Sequence, residues 1–230
     1  MERETKPNAT LALEPPAVPD RKEERRQAMI QTAGRLFAEL GYADCEMERV
    51  ATELGVAKGT LYLYFANKES LFFACVDHGM SWMQKCVREA ADQVTDPLEK
   101  ISRAIRAYLT FFAEHPEHVE LLIQERANFK NRNQPTYFQY RQTNRGPWRD
   151  LLSNLIRDGR LRDDLPVERL LDTLGHLVYG TMFTNHFTGP AATLDEQHHA
   201  ILQIIARGIL SESERTHWKY APGTDARNGT

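Results

Sequence analysis

The sequence predicts an all-α protein, made of an N-terminal three-helix domain of the helix-turn-helix type and a larger helical bundle. From Arg21 onward, apolar residues recur at the 3.6-residue spacing of an amphipathic helix, and no segment shows the strict alternation of a half-buried strand. Prolines also recur at intervals that suit helix starts, because proline is tolerated in a first turn and disrupts a helix interior. They stand at positions 97, 116, 135, 166 and 190.

The composition is that of an ordinary globular protein and argues against several classes. The chain of 230 residues has a formal net charge of −3, so any nucleic-acid contact has to come from a local patch. The longest apolar run, residues 71–76, is far shorter than the about 18 residues of a membrane span. No apolar stretch follows a basic start as in a signal peptide, and the three cysteines lack metal-binding spacing. We therefore expect a cytoplasmic protein with no membrane association, metal or cofactor.

The N-terminal elements follow from local signals. Residues 1–20 contain four prolines and no periodicity, so we predict a disordered lead-in. An amphipathic helix then begins at Arg21 and ends at Gly41, since glycine commonly follows the last residue of a helix. After two short helices, Asn67 is placed to cap a fourth helix.

The two short helices are joined by a tight turn. The first covers roughly residues 47–54 and ends at Gly55, and the second is the stretch 56–65, VAKGTLYLYF. Leu61 and Phe65 lie four apart and pack inward, which leaves a glycine, two tyrosines and a leucine on the other face. A face that serves only solvation is richer in Glu, Lys and Gln. A helix-turn-helix unit instead lays its second helix in the DNA major groove, so residues 21–66 are predicted to bind DNA.

The outward residues suit contact with a duplex. Gly59 lets the helix N-terminus approach a phosphate, and the hydroxyls of Tyr62 and Tyr64 reach phosphate oxygens. A lysine or a tyrosine alone is more often a solvated or packing side chain, and it is the joint placement of these residues that favours DNA binding. The candidate DNA-binding residues are Arg25, Arg26, Lys58, Gly59, Thr60, Tyr62, Leu63, Tyr64 and Lys68.

Residues 36–71, LFAELGYADCEMERVATELGVAKGTLYLYFANKESL, resemble the helix-turn-helix region of the TetR family of bacterial transcriptional regulators in residue type and spacing together. The matching positions are Leu36, Phe37, Gly41, Tyr42, Gly55, Val56, Lys58, Gly59, Thr60, Leu61, Tyr62, Tyr64, Phe65, Lys68, Glu69 and Leu71. The resemblance implies a dimer built from the last two long helices, and a pocket whose occupancy changes the spacing of two DNA-binding domains.

The sequence departs from the family pattern around both short helices. Cys45 and Glu46 stand where the family usually has Thr or Ser, and Ala57 stands where Ser is usual, with the loss of a cap of roughly 1 kcal/mol. We expect Glu46 to lie at the N-terminus of its own helix, which tolerates a carboxylate. Leu63 and Tyr64 replace the family's common Tyr and His, so the operator sequence does not transfer.

Residues 67–213 are predicted to form the larger domain, followed by a polar tail at 214–230. The predicted helices are 67–92, 97–113, 117–130, 135–158, 166–187 and 194–212. The last two carry apolar stripes broad enough for burial against both this chain and a second copy, although two ordinary core helices are the plain alternative. The predicted dimer residues are Leu170, Leu174, Leu177, Ile201, Ile205 and Ile209.

Polar residues among clustered aromatics between these helices suggest a ligand pocket, although such a cluster is also how a plain core looks. The predicted pocket residues are Phe111, Gln124, Asn128, Tyr137, Trp148, His176, Tyr179 and Phe183. The sequence thus predicts a homodimeric repressor, released from a palindromic double-stranded operator by an unknown small-molecule effector. One alternative is a DNA-binding regulator or architectural protein of the same fold, controlled by a protein partner with no small-molecule effector. A small helical enzyme is a second, against which stands the lack of a catalytic motif.

Overall fold

The computed structural model describes residues 21–217, and within that range it confirms the all-α fold class. The predicted lead-in, residues 1–20, lies outside this range, as do residues 218–230 of the predicted tail. The helices are α1 (Arg21–Leu40), α2 (Met47–Glu53), α3 (Lys58–Tyr62), α4 (Lys68–Asp92), α5 (Pro97–Glu114), α6 (Pro116–Asn128), α7 (Thr136–Thr143), α8 (Arg145–Arg157), α9 (Val167–Thr188), α10 (Leu194–Ile209) and α11 (Glu212–His217).

Helices α1–α3 form the head, residues 21–66, and two glycines set their boundaries. Gly41 ends α1 with a φ of +86°, and Gly55 turns the chain between α2 and α3 with a φ of +66°, a region that other residues rarely adopt. Helix α3 is shorter than predicted and ends at Tyr62. The backbone still continues one turn, since the Phe65 N–H donates to the Leu61 carbonyl at 2.9 Å, and both side chains are buried.

Helix α4 connects the head to the body, residues 67–217. It begins with a capping box: the Asn67 side chain accepts from the Ser70 N–H at 2.7 Å, and the Ser70 hydroxyl accepts from the Asn67 N–H at 3.1 Å. The predicted cap at Asn67 is therefore confirmed. From there α4 packs against α1 in the head and against α5, α6 and α7 in the body. One helix thus spans both domains.

The predicted helix 135–158 is wrong, because the structure has two helices, α7 and α8, that meet at Asn144. The cause lies in the next residues, Gly146 and Pro147. Pro147 has no N–H and occupies the first turn of α8, where the missing donor costs nothing, whereas in a helix interior it would remove a hydrogen bond and clash.

The described chain ends in a helix that enters the predicted polar tail. Helix α11 extends past residue 214, where the polar tail was expected to begin. The Arg160 guanidinium joins Glu214 to Asp96, each at 2.9 Å, and so fastens this segment to the body. Within residues 21–217, no helix combines the length and the hydropathy that a membrane crossing requires.

The loop between α6 and α7 is held by a buried carboxylate, Glu125. It accepts hydrogen bonds from the Thr136 N–H and hydroxyl, both at 2.9 Å, and pairs with the Arg132 guanidinium at 3.1 Å. A buried charge is tolerated when it is paired and hydrogen-bonded in this way. Glu125 therefore fixes the position of α7, which forms one wall of the cavity described below.

Candidate nucleic-acid interface and internal cavity

The outward face of α3 is apolar and aromatic. Leu63 is 80% exposed and Tyr62 is 46% exposed, and among the exposed large apolar side chains of the described residues they are the one pair adjacent in sequence. Thr60 and Tyr64 lie half-buried at the edges of this face. Single exposed apolar residues are common on proteins, but an exposed adjacent pair on a helix-turn-helix unit indicates a surface that meets a partner.

Gly59 has no reason inside the chain to be a glycine. It lies in α3, its φ is not positive, and a Cβ built on it would meet no atom within 4 Å. Glycine in a helix costs up to about 1 kcal/mol relative to alanine, so the fold itself would be more stable with a larger residue. The space beside Gly59 therefore suits the close approach of an external group to the backbone.

The two candidate lysines differ in how they are held. Lys58 is exposed and pairs with Glu48 at 3.1 Å, and that hydrogen bond raises the pKa of Lys58. Lys68 is mostly buried: its ammonium donates to the Ala43 carbonyl at 2.9 Å and lies 4.9 Å from the ring centroid of Tyr42. The Lys58 ammonium can leave the Glu48 carboxylate and pair with a phosphate instead. Lys68, in contrast, already fastens the start of α4 to the turn after α1.

The helix starts of this unit lack side-chain caps. Glu46 and Ala57 are the N-cap residues of α2 and α3, and neither side chain accepts a hydrogen bond there. First-turn amides without a capping side chain are suited to an anion. On α1, Arg25 is exposed, while the Arg26 guanidinium lies 5.6 Å from the ring centroid of Phe65. Arg25 is the freer of the two to reach a duplex.

A cavity of about 500 Å³ lies in the body, between α4, α5, α7, α8 and α9. This volume falls in the range of small-molecule sites, which are mostly apolar with a few polar groups that orient the ligand. Tyr137 and Trp148, two of the predicted pocket residues, line it. Much of the wall is apolar and includes Met83, Val87, Ile101, Ile105, Leu152 and Leu171.

Two buried tyrosines that line this cavity, Tyr108 and Tyr137, are joined through their hydroxyls. The oxygens of Tyr108 and Tyr137 are 3.0 Å apart, and Tyr108 also donates to the Met182 sulfur at 3.4 Å. Burial raises the pKa of Tyr137 to about 12 and raises the pKa of Tyr108 well above its usual value. Both hydroxyls are therefore uncharged at neutral pH and can orient a polar atom of a ligand.

Sequence reasoning missed two arginines of the cavity wall, Arg141 and Arg145. Arg145 pairs with Asp172 at 2.6 Å and with Glu168, and Arg141 pairs with Asp172 at 3.3 Å. Gly175 makes this possible, since a Cβ there would lie 2.5 Å from the Arg141 guanidinium. The sequence contained a signal for these pairs: two arginines four residues apart, on either side of the α7–α8 junction, face two carboxylates four residues apart on α9.

The structure places the other six predicted pocket residues outside this cavity. Phe111 packs edge-on against Trp82. The Gln124 side chain donates to the Phe37 carbonyl at 2.8 Å, and the Asn128 side chain donates to the Gln124 carbonyl at 2.9 Å. The remaining three belong to α9: His176 is exposed, and the rings of Tyr179 and Phe183 pack against each other at an angle.

A second cavity, of about 890 Å³, lies beneath α1 where the head meets the body. Four histidines line it, at positions 78, 115, 118 and 186. His118 packs directly on Gly79, where a Cβ would lie 2.3 Å from its ring nitrogen, and burial lowers the pKa of His118 to about 4. Among the described residues, no group of three or more His, Cys, Asp or Glu side chains can hold a metal.

The predicted dimer residues divide between the inside and the edge of the body. Leu170, Ile201 and Ile205 are buried within this chain, so they pack in its own core, and the other three are half-buried. These three are Leu174, Leu177 and Ile209. The apolar residues of α9 and α10 that face outward are instead Phe187, 67% exposed, and Ile204, 62% exposed. The spacing of apolar residues identifies the apolar face of a helix, but it does not indicate whether that face packs in the core of its own chain or against a second copy.

Two family models match the chain. Residues 29–75 match the model described as bacterial regulatory proteins, tetR family, and residues 94–178 match the tetracyclin repressor-like C-terminal domain. The first match contains α2, α3 and most of α1, and the second contains most of the cavity-forming helices.

Curated relatives and solved structures agree with these matches. The HTH-type transcriptional repressor KstR2 of Mycobacterium tuberculosis is 25% identical over 191 residues, which are 82% of this chain and 94% of the relative. The solved structure of the ketosteroid transcriptional regulator KstR2 has the same fold, with a TM-score of 0.61, 24% identity and coverage of 82% of this chain and 96% of that chain. A TetR-family regulator from Pectobacterium atrosepticum aligns with a TM-score of 0.63 and 25% identity, covering 82% of this chain and 95% of that one.

Proposed function

This chain belongs to the TetR family of bacterial regulatory proteins and is a DNA-binding transcriptional regulator, and we propose that it is a repressor which a small-molecule effector releases from its operator. The observation that carries the DNA-binding part is the outward face of α3, where Tyr62, Leu63 and the open space at Gly59 have no internal use. Repression as the direction of control is supported by the KstR2 relatives, which are named transcriptional repressors.

A palindromic operator and a homodimer belong together in this proposal. A single short recognition helix reads only a few base pairs, and a two-fold dimer doubles the site. The surface that would join two copies is the outward side of α9 and α10 around Phe187 and Ile204. Gly180 supports close helix contact there, since it lies exposed on α9 and a Cβ on it would meet no atom within 4 Å.

The cavity supports control by a small molecule rather than by a protein partner, which would need no internal space. Helix α4 connects the cavity to the DNA-binding head. Its first turn is fastened to the head through Lys68, and its last turns contribute Met83 and Val87 to the cavity wall. A ligand that binds better when α4 is displaced shifts the population away from the DNA-binding state, in proportion to that difference in affinity. We place this non-catalytic regulator in the cytoplasm.

Selection of bound duplexes from a random DNA library tests the proposal, with the oligomeric state measured by light scattering. We expect a palindromic motif for the wild type and for the control Arg103→Ala, which removes an exposed charge on α5. Tyr62→Ala is expected to enrich the motif more weakly than the wild type does. Absence of enrichment above non-specific binding at moderate salt, in protein shown by mass spectrometry to carry no bound compound, would contradict sequence-specific regulation. A monomer that selects an asymmetric site would contradict the dimer.

A further inference from the structure

The cavity of about 500 Å³ is differentiated along its length. Its buried lining includes Tyr108 and Tyr137, whose hydroxyls bond to each other, and much of the remaining wall is apolar. The lining residues exposed to solvent mark the opening, and they include Arg88, Asp92 and Pro147. A ligand that fills the cavity therefore meets a pair of neutral hydroxyls, an apolar wall and a charged rim.

The rim has an excess of positive charge. Arg88 lies in the last two turns of α4, and Lys100 lies in the first turn of α5, on the other side of the short connection 93–96. Because α4 and α5 are neighbours joined by this short turn, the two cations lie at the same end of the helix pair. Asp92 is the carboxylate of the rim, so two positive charges and one negative charge leave a net charge of +1.

The rim cations also differ from the arginines deeper in the wall. Arg141 and Arg145 already have carboxylate partners on α9, Asp172 and Glu168. Within residues 21–217, neither Arg88 nor Lys100 takes part in an ion pair, so both can turn to a charge that enters from outside. A charged group of a ligand gains the most binding free energy beside an opposite charge of the protein that has no ion-pair partner of its own.

Resting on the effector role of this cavity, we propose that its ligand is an amphipathic anion, whose apolar body fills the cavity and whose carboxylate or phosphate lies at the rim between Arg88 and Lys100. A polar atom at the far end of the body meets the hydroxyls of Tyr108 and Tyr137. Lys100 and Tyr108 are eight residues apart on α5, which sets the body length at roughly 12 Å. The net positive charge of the rim disfavours a quaternary ammonium compound relative to an anion.

A matched set of ligands tests the charge. Sodium dodecanoate, dodecyl phosphate, 1-dodecanol and dodecyltrimethylammonium share one alkyl chain and differ in the head group. Dissociation constants are measured by calorimetry on the DNA-free dimer, below the critical micelle concentrations. Either anion is expected to bind about tenfold more tightly than the alcohol and the cation, as two opposed charges at a partly exposed site would give. The ranking of the two anions identifies the head group.

Variants locate the head group at the rim. The double variant Arg88→Ala/Lys100→Ala leaves Asp92 as the rim charge, so the anions are expected to lose their advantage over the alcohol and the cation, while Lys85→Ala, which removes an exposed charge from α4 outside the cavity, keeps the preference for the anions. A second comparison tests the hydroxyl pair: 12-hydroxydodecanoate should bind about fivefold more tightly than dodecanoate, and Tyr137→Phe should abolish that difference.

Three results would overturn the proposal: a cation or alcohol that binds as tightly as the anions, a preference that survives the double variant, or no binding by any of the four compounds. Release from the operator is measured in a separate assay, so a failure of the proposed ligand class can be told apart from a failure of the proposed effector role. If the anions bind as expected but leave the protein on its operator, the ligand class stands and release by this effector fails.

Discussion

The outward face of α3 and the interior of the body use similar residues in opposite ways. At the head, Tyr62 and Leu63 are exposed and Gly59 opens onto empty space. In the body, a tyrosine pair is joined by its hydroxyls, and Gly79 is covered by His118. A residue with no internal partner can be changed without loss of stability, whereas a residue with several partners cannot. The head should therefore lose function without unfolding, and the body should do the reverse.

Within the body, the largest loss of stability is expected from the replacement of Glu125. Replacement by alanine leaves the Thr136 N–H and the Arg132 guanidinium without their acceptor, so Glu125→Ala is expected to lower the free energy of unfolding by about 3 kcal/mol. Urea unfolding followed by circular dichroism measures this. Glu99→Ala, which removes an exposed carboxylate, serves as the control and should stay within about 0.5 kcal/mol of the wild type. Equal losses in both variants would contradict a special role for the buried carboxylate.

His118 makes the stability of the body depend on pH. Its folded pKa, about 4, lies below the ordinary histidine value, so the unfolded chain takes up the proton first as the pH falls. The stability contributed by neutral His118 is complete above about pH 6.5 and is lost towards pH 4, with about 2 kcal/mol lost between pH 7 and pH 5. Urea midpoints at these two pH values test the sign. His118→Gln should show a correspondingly smaller loss, and an identical loss in both proteins would assign the effect to other groups.

The head side of the comparison is tested by Tyr62→Ala. Because Tyr62 is largely exposed, the variant should unfold at the same urea concentration as the wild type, yet bind the selected operator about tenfold more weakly. Fluorescence anisotropy with labelled duplex gives the affinity. A fall in stability together with affinity would show that Tyr62 packs within the head.

Gly59→Ala should give the smallest of these changes, and it should move stability and operator affinity in opposite directions. The added methyl group meets no atom of the chain, so the variant is expected to gain up to about 1 kcal/mol of stability while its operator affinity falls. Gly146→Ala is the matched control, because Gly146 is also helical with open space beside it and lies in the body. It should gain stability without loss of affinity. A Gly59→Ala protein that binds the operator normally would remove the argument for close backbone approach.

The head could be predicted from sequence because each of its signals is local. Gly41, Gly55 and Asn67 act within a few residues of their own positions, and the structure has them as predicted. The body depends on contacts between distant segments. Nothing near Tyr108 in sequence says that its hydroxyl meets that of Tyr137, 29 residues later.

The same reason explains the residues whose environments were misjudged. The sequence pattern around Lys68 resembles a DNA contact, but the carbonyl that its ammonium reaches belongs to Ala43, 25 residues earlier. Leu170 and Ile201 lie on apolar stripes that could face either a core or a second chain, and only the packing of α9 and α10 on α5 places them inside.

The length of α4 has a geometric consequence. Its 25 residues make a rod of roughly 37 Å with the cavity at one end and the head at the other. By simple trigonometry, a tilt of about 5° at the cavity end carries the opposite end through about 3 Å, the length of a whole hydrogen bond. Such a lever needs no large rearrangement around the ligand. A rotation small enough to preserve the packing of the body is sufficient to move the first turn of α4, and the head fastened to it, by the length of a hydrogen bond.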